Sequence, residues 1–187
     1  MDGKGHAITT LLVGILVGKY LIAHGVEQFL STLFVFGAFL TCHSADVWGI
    51  SAISPDADIH IGRIIGKNIH RKWYFHSFLL SLPLFWAGAY FFNINAQLSA
   101  FLFGTAFGWN AHIVEDDIWS RLKGTRKKPF PLWVELTSLM MLGLSVLGVL
   151  ATASPQYLLL FEKLYYTVGL GFIPANFGFP LTLPSSG

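Results

Sequence analysis

Four short groups of residues in this sequence have side chains suited to holding a metal ion. His6 stands in GKGHAITT, close to the first residue. Asp56 and Asp58 stand in SPDADIH, with His60 behind them. His70, Arg71 and His76 stand in HRKWYFHS, and His112 and Asp116 in GWNAHIVEDD. His112 and Asp116 are four apart, so on a helix they stack on one face. The Pro-Asp-x-Asp turn brings two carboxylates within a few ångströms, close enough to bind or bridge cations. Imidazole and carboxylate together suit zinc, manganese or iron better than magnesium or calcium. All seven histidines precede Ile113, and the last 70 residues hold only two acids, Glu135 and Glu162. Any chemistry therefore belongs to the earlier part of the chain.

Each group has a plain structural reading when taken alone. His6 could be an interfacial histidine. Asp56 and Asp58 could be a turn with a helix N-cap. His70 beside Arg71 and Lys72 could be simple basic charge, and His112 with Asp116 a hydrogen bond between helices. What decides between these readings is where the elements put the four groups.

Those elements are membrane helices. Of the 187 residues, 53% are hydrophobic and 12% charged, about half the charged share of a soluble domain. The mean hydropathy is +0.58. A net charge of +2 gives no reason to expect a nucleic-acid partner. The single cysteine, Cys42, excludes an internal disulfide and a multi-cysteine zinc site; it reads as a small apolar filler. The apolar run from Ala7 is followed by no A-x-A-like cleavage site, so it reads as a retained helix.

A spanning helix needs about 20 mostly apolar residues. The candidates are Ala7 to Ala23, Phe29 to Cys42 with an extension towards Ile53, Ser77 to Ile94, Leu98 to Ile113, and Leu132 to Ala151. A sixth, Tyr157 to Ile173, carries Glu162 and Lys163 and suits either a span or an interfacial helix. The tail with Pro174, Pro180 and Pro184 reads as irregular. The expected fold class is thus all-α, a polytopic bundle of five or six transmembrane helices forming one domain. Residues 1–120 would hold a four-helix metal-site bundle, and 121–187 a basic loop, one or two further membrane helices and the tail.

Nine of the twelve Lys and Arg fall in two short stretches. One holds Arg63, Lys67, Arg71 and Lys72, the other Arg121, Lys123, Arg126, Lys127 and Lys128. Two helices separate them, so both lie on one face, and positive charge marks that face as cytoplasmic. Lys4 puts the N-terminus there too. All four chemical groups then fall at cytoplasmic helix ends, where a bundle can bring them together. Ionisable groups at membrane depth are costly and usually functional. His24 falls at the opposite end and reads as structural. His43 and Asp46 could support a site from the second helix. Glu115 and Asp117 flank Asp116 but face elsewhere on an ideal helix.

In order and type these motifs resemble the membrane-bound metal-dependent hydrolases related to the LexA-regulated inner-membrane protein YdjM. The matching residues are His6; Pro55, Asp56 and Asp58; His70, Arg71, His76 and Ser77; and Gly108, His112 and Asp116. The resemblance covers roughly the first 120 residues. Ile59 before His60, and Trp73, Tyr74 and Phe75 before His76, depart from the usual family runs. That family is thought to be distantly similar to zinc-dependent phospholipase C, which implies phosphoester hydrolysis.

The resulting expectation is an enzyme of the prokaryotic inner membrane with its N-terminus and site on the cytoplasmic side. His6, Asp56, Asp58, His70, His76, His112 and Asp116 would bind one to three divalent ions, zinc first among them. Asp58 or Asp116 would act as general base, and Arg71 would pair with a phosphate oxygen. The partners would be membrane lipid and a phospholipid or other phosphoester substrate. The alternative is a metal-binding transporter or sensor with the same ligands. A transporter should spread polar groups along a path near the midplane, whereas here they gather at one side.

Overall fold

The computed structural model describes residues 3–42, 64, 66, 78–122 and 131–167. Its elements are α1 (Gly3–Ala23), α2 (Gln28–Cys42), a 3-10 turn (Phe78–Leu80), α3 (Leu82–Phe91), α4 (Ala96–Leu122), α5 (Leu132–Leu150) and α6 (Pro155–Thr167). The described residues are helices and turns with no strand, so the all-α expectation holds. Among them, α5 is long and apolar enough to cross a membrane, and Leu11–Ala23, Gln28–Thr41 and Leu82–Phe91 are shorter apolar helical stretches.

Local chemistry explains several boundaries. The third expected helix, Ser77 to Ile94, is shorter than its hydropathy suggests. Pro83 sits in the first turn of α3, where its missing N–H costs nothing and where it would break a longer helix. Asn95 then caps α4, its Oδ1 accepting from Leu98 N at 2.8 Å. The largest departure is α4 itself. It was expected to end near Ile113 and runs on to Leu122. Two contacts at i, i+4 support the added turns: Arg121 Nε donates to Asp117 at 2.6 Å, and Ser120 Oγ donates to the Asp116 carbonyl at 2.6 Å. Arg121, expected in a loop, is therefore helical.

The helices pack through small residues. Ser31 Oγ donates to Gly18 O at 2.9 Å, and Gly14 faces Val35, so α1 and α2 are antiparallel. The closest approach is between α2 and α4. A Cβ at Gly104 would stand 2.1 Å from Phe34 O, and one at Gly108 would stand 2.1 Å from Ala38 O. Both numbers rise together, so α2 and α4 run parallel. Their backbones touch because Gly104-x-x-x-Gly108 leaves one face of α4 bare, the usual device for helices that lack a hydrophobic drive to associate. The Phe103 ring slots between Gly88 of α3 and Gly148 of α5. It joins Phe85 and Phe161 in a buried aromatic cluster.

Outside this core the helices present apolar side chains. Leu12 and Leu16 on α1, and Leu132, Leu136 and Leu139 on α5, are all exposed. A surface of that kind suits lipid.

These contacts fix the directions of the chain. The starts of α1, α3 and α5 and the ends of α2 and α4 gather at one end of the bundle. The α1–α2 turn, with Gly25 at φ +89°, and the α5–α6 turn lie at the other.

Candidate functional site

The best-defined part of the candidate site is the middle of α4. From Phe103 to Ile113 every residue is buried, an unusual run for one helix, and it includes Asn110 and His112. Asn110 is 0% exposed, His112 1% and Asp116, further along, 2%. Burying an imidazole and a carboxylate is costly unless each is engaged, and both residues have partners in the protein. His112 Nε2 and Asp116 Oδ2 are themselves closed off from solvent. Trp109, Ile113 and Val134 form a small apolar cluster beside them.

The neighbours of this stretch are ordered by hydrogen bonds rather than by shape alone. Asn110 Nδ2 donates to Ser81 Oγ at 2.8 Å, which ties the start of α3 to the turn of α4 that carries His112. Thr41 Oγ1, in the last turn of α2, lies 2.9 Å from the Thr105 carbonyl and 3.0 Å from that of Gly37. Hence the helix that leads towards Asp56 and the one that follows His76 are both fastened to α4 near His112. Gly108 makes the first approach possible, and Asn110 makes the second specific.

The expected residues divide as follows. His112 and Asp116 lie together on one buried face, as their spacing required. His6 lies in the first turns of α1, at the same end of the bundle, and its side chain is outside the described set. Asp56, Asp58, His60, His70, Arg71 and His76 lie outside the described residues, as do His43 and Asp46. His24 sits at the far end, exposed, with Nδ1 2.8 Å from Tyr20 O and its ring 4.0 Å from that of Tyr20, in keeping with a structural role. Among the described residues no group of three or more His, Cys, Asp or Glu is placed to hold a metal. The two donors that are described have the chemistry a zinc site uses.

Asp117 faces away from Asp116, as expected, but it is buried and occupied. It accepts from Arg121, and the same guanidinium bonds Glu135 in the first turn of α5. The hydrogen bond and charge of Asp117 hold the Arg121 pKa above its ordinary value, ahead of the smaller contribution from Glu135. A groove of about 250 Å³ opens beside these three residues. Neither this clasp nor the roles of Asn110, Ser81 and Thr41 was anticipated. The Asp117–Arg121 spacing and the Gly104–Gly108 spacing are the signals that could have found two of them.

Comparison with curated proteins and with solved structures gives no match. A family model described as YdjM inner membrane protein matches residues 1–179. That match takes in all four metal-suited groups as well as α1 to α6, and the chain belongs to the YdjM inner membrane protein family.

Proposed function

We propose that this membrane protein is a metal-dependent hydrolase built on five or six membrane-crossing helices, acting on a phosphoester at the cytoplasmic membrane surface. The observation that carries the reading is the burial of His112 and Asp116 on one face of α4. A helix that has only to pack would bury apolar residues there. The fastening of α2 and α3 to the same stretch supports it further.

His6, Asp56, Asp58, His70, His76, His112 and Asp116 would hold the metal. A zinc ion so bound supplies Lewis acidity and lowers the pKa of water towards neutrality. Asp58 or Asp116, whichever is less committed to the metal, takes the proton from the attacking water. Arg71 orients the phosphoryl group through its planar fork. The apolar cluster of Trp109, Ile113 and Val134 helps keep bulk water from His112 and Asp116.

The test is hydrolysis of phospholipid and of a soluble phosphodiester by purified protein, with zinc titrated in after chelation. Activity should depend on zinc. Arg71→Lys should lower activity while leaving bound zinc unchanged, because it keeps the charge and loses the fork. Zinc bound with no hydrolysis of any phosphoester would leave the protein a metal-binding transporter or sensor instead.

A further inference from the structure

The clasp at the end of α4 lies at the mouth of a groove whose polarity changes with depth. The groove is lined by Val114, Asp117, Ile118, Arg121, Glu135 and Leu139. Glu135 belongs to the first turn of α5, the helix long and apolar enough to span a membrane, so it stands at headgroup level. Leu139 is one turn further in, about 6 Å deeper at 1.5 Å per residue. On α4, which runs the opposite way, Arg121 shares the Glu135 level through their ion pair, and Asp117, its partner four residues earlier, is rooted one turn deeper. Val114 is deeper still on α4. Charge therefore lies at the membrane edge and apolar wall beneath it, with Ile118 and Leu139 each about half exposed. Charge above an apolar wall suits one amphiphile standing in a leaflet.

The charges select its head. Two carboxylates meet one guanidinium, and Asp117 and Glu135 are also hydrogen-bonded to each other. Arg121 is held by Asp117 and remains 52% exposed. Its fork has five N–H donors, and the contacts with Asp117 and Glu135 leave some of them over. Glu135, 18% exposed, is the carboxylate that an incoming cation can reach. An anionic headgroup without a cation has no group to give Glu135. A quaternary ammonium carries no N–H to give Glu135. A zwitterion with a primary amine satisfies both sides. We propose that this groove binds a phospholipid with a primary-amine headgroup, its ammonium on Glu135, its phosphate on Arg121 and an acyl chain along Ile118, Val114 and Leu139. The site is separate from the proposed metal centre, since Asp117 and Asp116 point about 100° apart on α4, and it does not need the metal.

Native mass spectrometry of the full chain tests this. The protein is released from micelles containing equal mole fractions of phosphatidylethanolamine, phosphatidylcholine and phosphatidylglycerol. We expect phosphatidylethanolamine to be retained several-fold over both others, with or without prior chelation. Glu135→Gln should bring its ratio to phosphatidylcholine close to one, while Glu27→Gln, an exposed acid at the other end of the bundle, should change nothing. Leu139→Trp fills the groove and leaves the three charged residues in place. It should at least halve the retained phosphatidylethanolamine, and it keeps the test decisive if Glu135→Gln fails to fold. Equal or greater retention of phosphatidylglycerol, or unchanged retention in Leu139→Trp, overturns the proposal. Because every arm is also run on chelated protein, its failure is distinguishable from failure of the hydrolase reading.

Discussion

Gly108 of α4 lies so close to α2 that an added Cβ would stand 2.1 Å from the Ala38 carbonyl oxygen and 2.2 Å from Thr41 Oγ1. His112 follows one turn later. The glycine of the family motif Gly-x-x-x-His-x-x-x-Asp thus has a physical role here: it sets how near α2 comes to the turn that carries the candidate ligands.

Gly108→Ala should therefore push α2 outward. Overpacking of this kind costs about 1–3 kcal/mol, and the contact is with backbone, which cannot swing aside. Gly104→Ala meets Phe34 O at the same 2.1 Å but one turn further from His112. Both variants should lose thermal stability to a similar degree in detergent. Only Gly108→Ala should also lower bound metal. Equal metal loss in both would mean that Gly108 serves packing alone.

Thr41→Val keeps the shape and removes the hydroxyl that reaches the Thr105 carbonyl. Interhelical hydrogen bonds in membrane proteins average about 0.6 kcal/mol. The variant should be only slightly less stable by denaturant titration, well below the effect of Gly108→Ala. A larger loss in Thr41→Val would show that the hydroxyl, and not the close approach, holds α2 to α4.

Asp117→Asn separates the two neighbouring acids. Asp117 holds Arg121, which in turn bonds Glu135 across to α5. The substitution should lower the melting temperature by loosening the α4–α5 end, and it should leave bound metal unchanged. Metal loss in Asp117→Asn with retention in Asp116→Asn would shift the ligand register by one residue.

Much of this was legible in the sequence, and the reasons are local. Apolar length marked the helices, and four-residue spacing put His112 with Asp116. The length of α4 was not legible from hydropathy, because its last turns are polar. They are held by Asp117–Arg121 and by Ser120 on the Asp116 carbonyl, contacts that a hydropathy window reads as loop. The interruption before α3 comes from one proline, Pro83, inside an otherwise apolar run. The link from Asn110 to Ser81 joins residues distant in the chain, and no periodicity encodes it. The groove between α4 and α5 is likewise a product of packing.

The proposed membrane orientation rests on the two basic stretches. A single cysteine placed at Lys67 or at Lys127, in a Cys42→Ser background, should be labelled only from the cytoplasmic side in intact cells. Labelling of either from outside would separate the groups that the proposed site requires on one face.

Bound zinc, measured in purified protein, tests the central claim most directly. If His112 and Asp116 share one ion, each loss leaves it short of a ligand, and the second loss adds little, as expected for residues in one network. His112→Ala and Asp116→Ala should each reduce zinc per chain, and the double variant should be little worse than either. Full zinc content in both single variants, with the helices still folded, would contradict the account and leave α4 a packing helix.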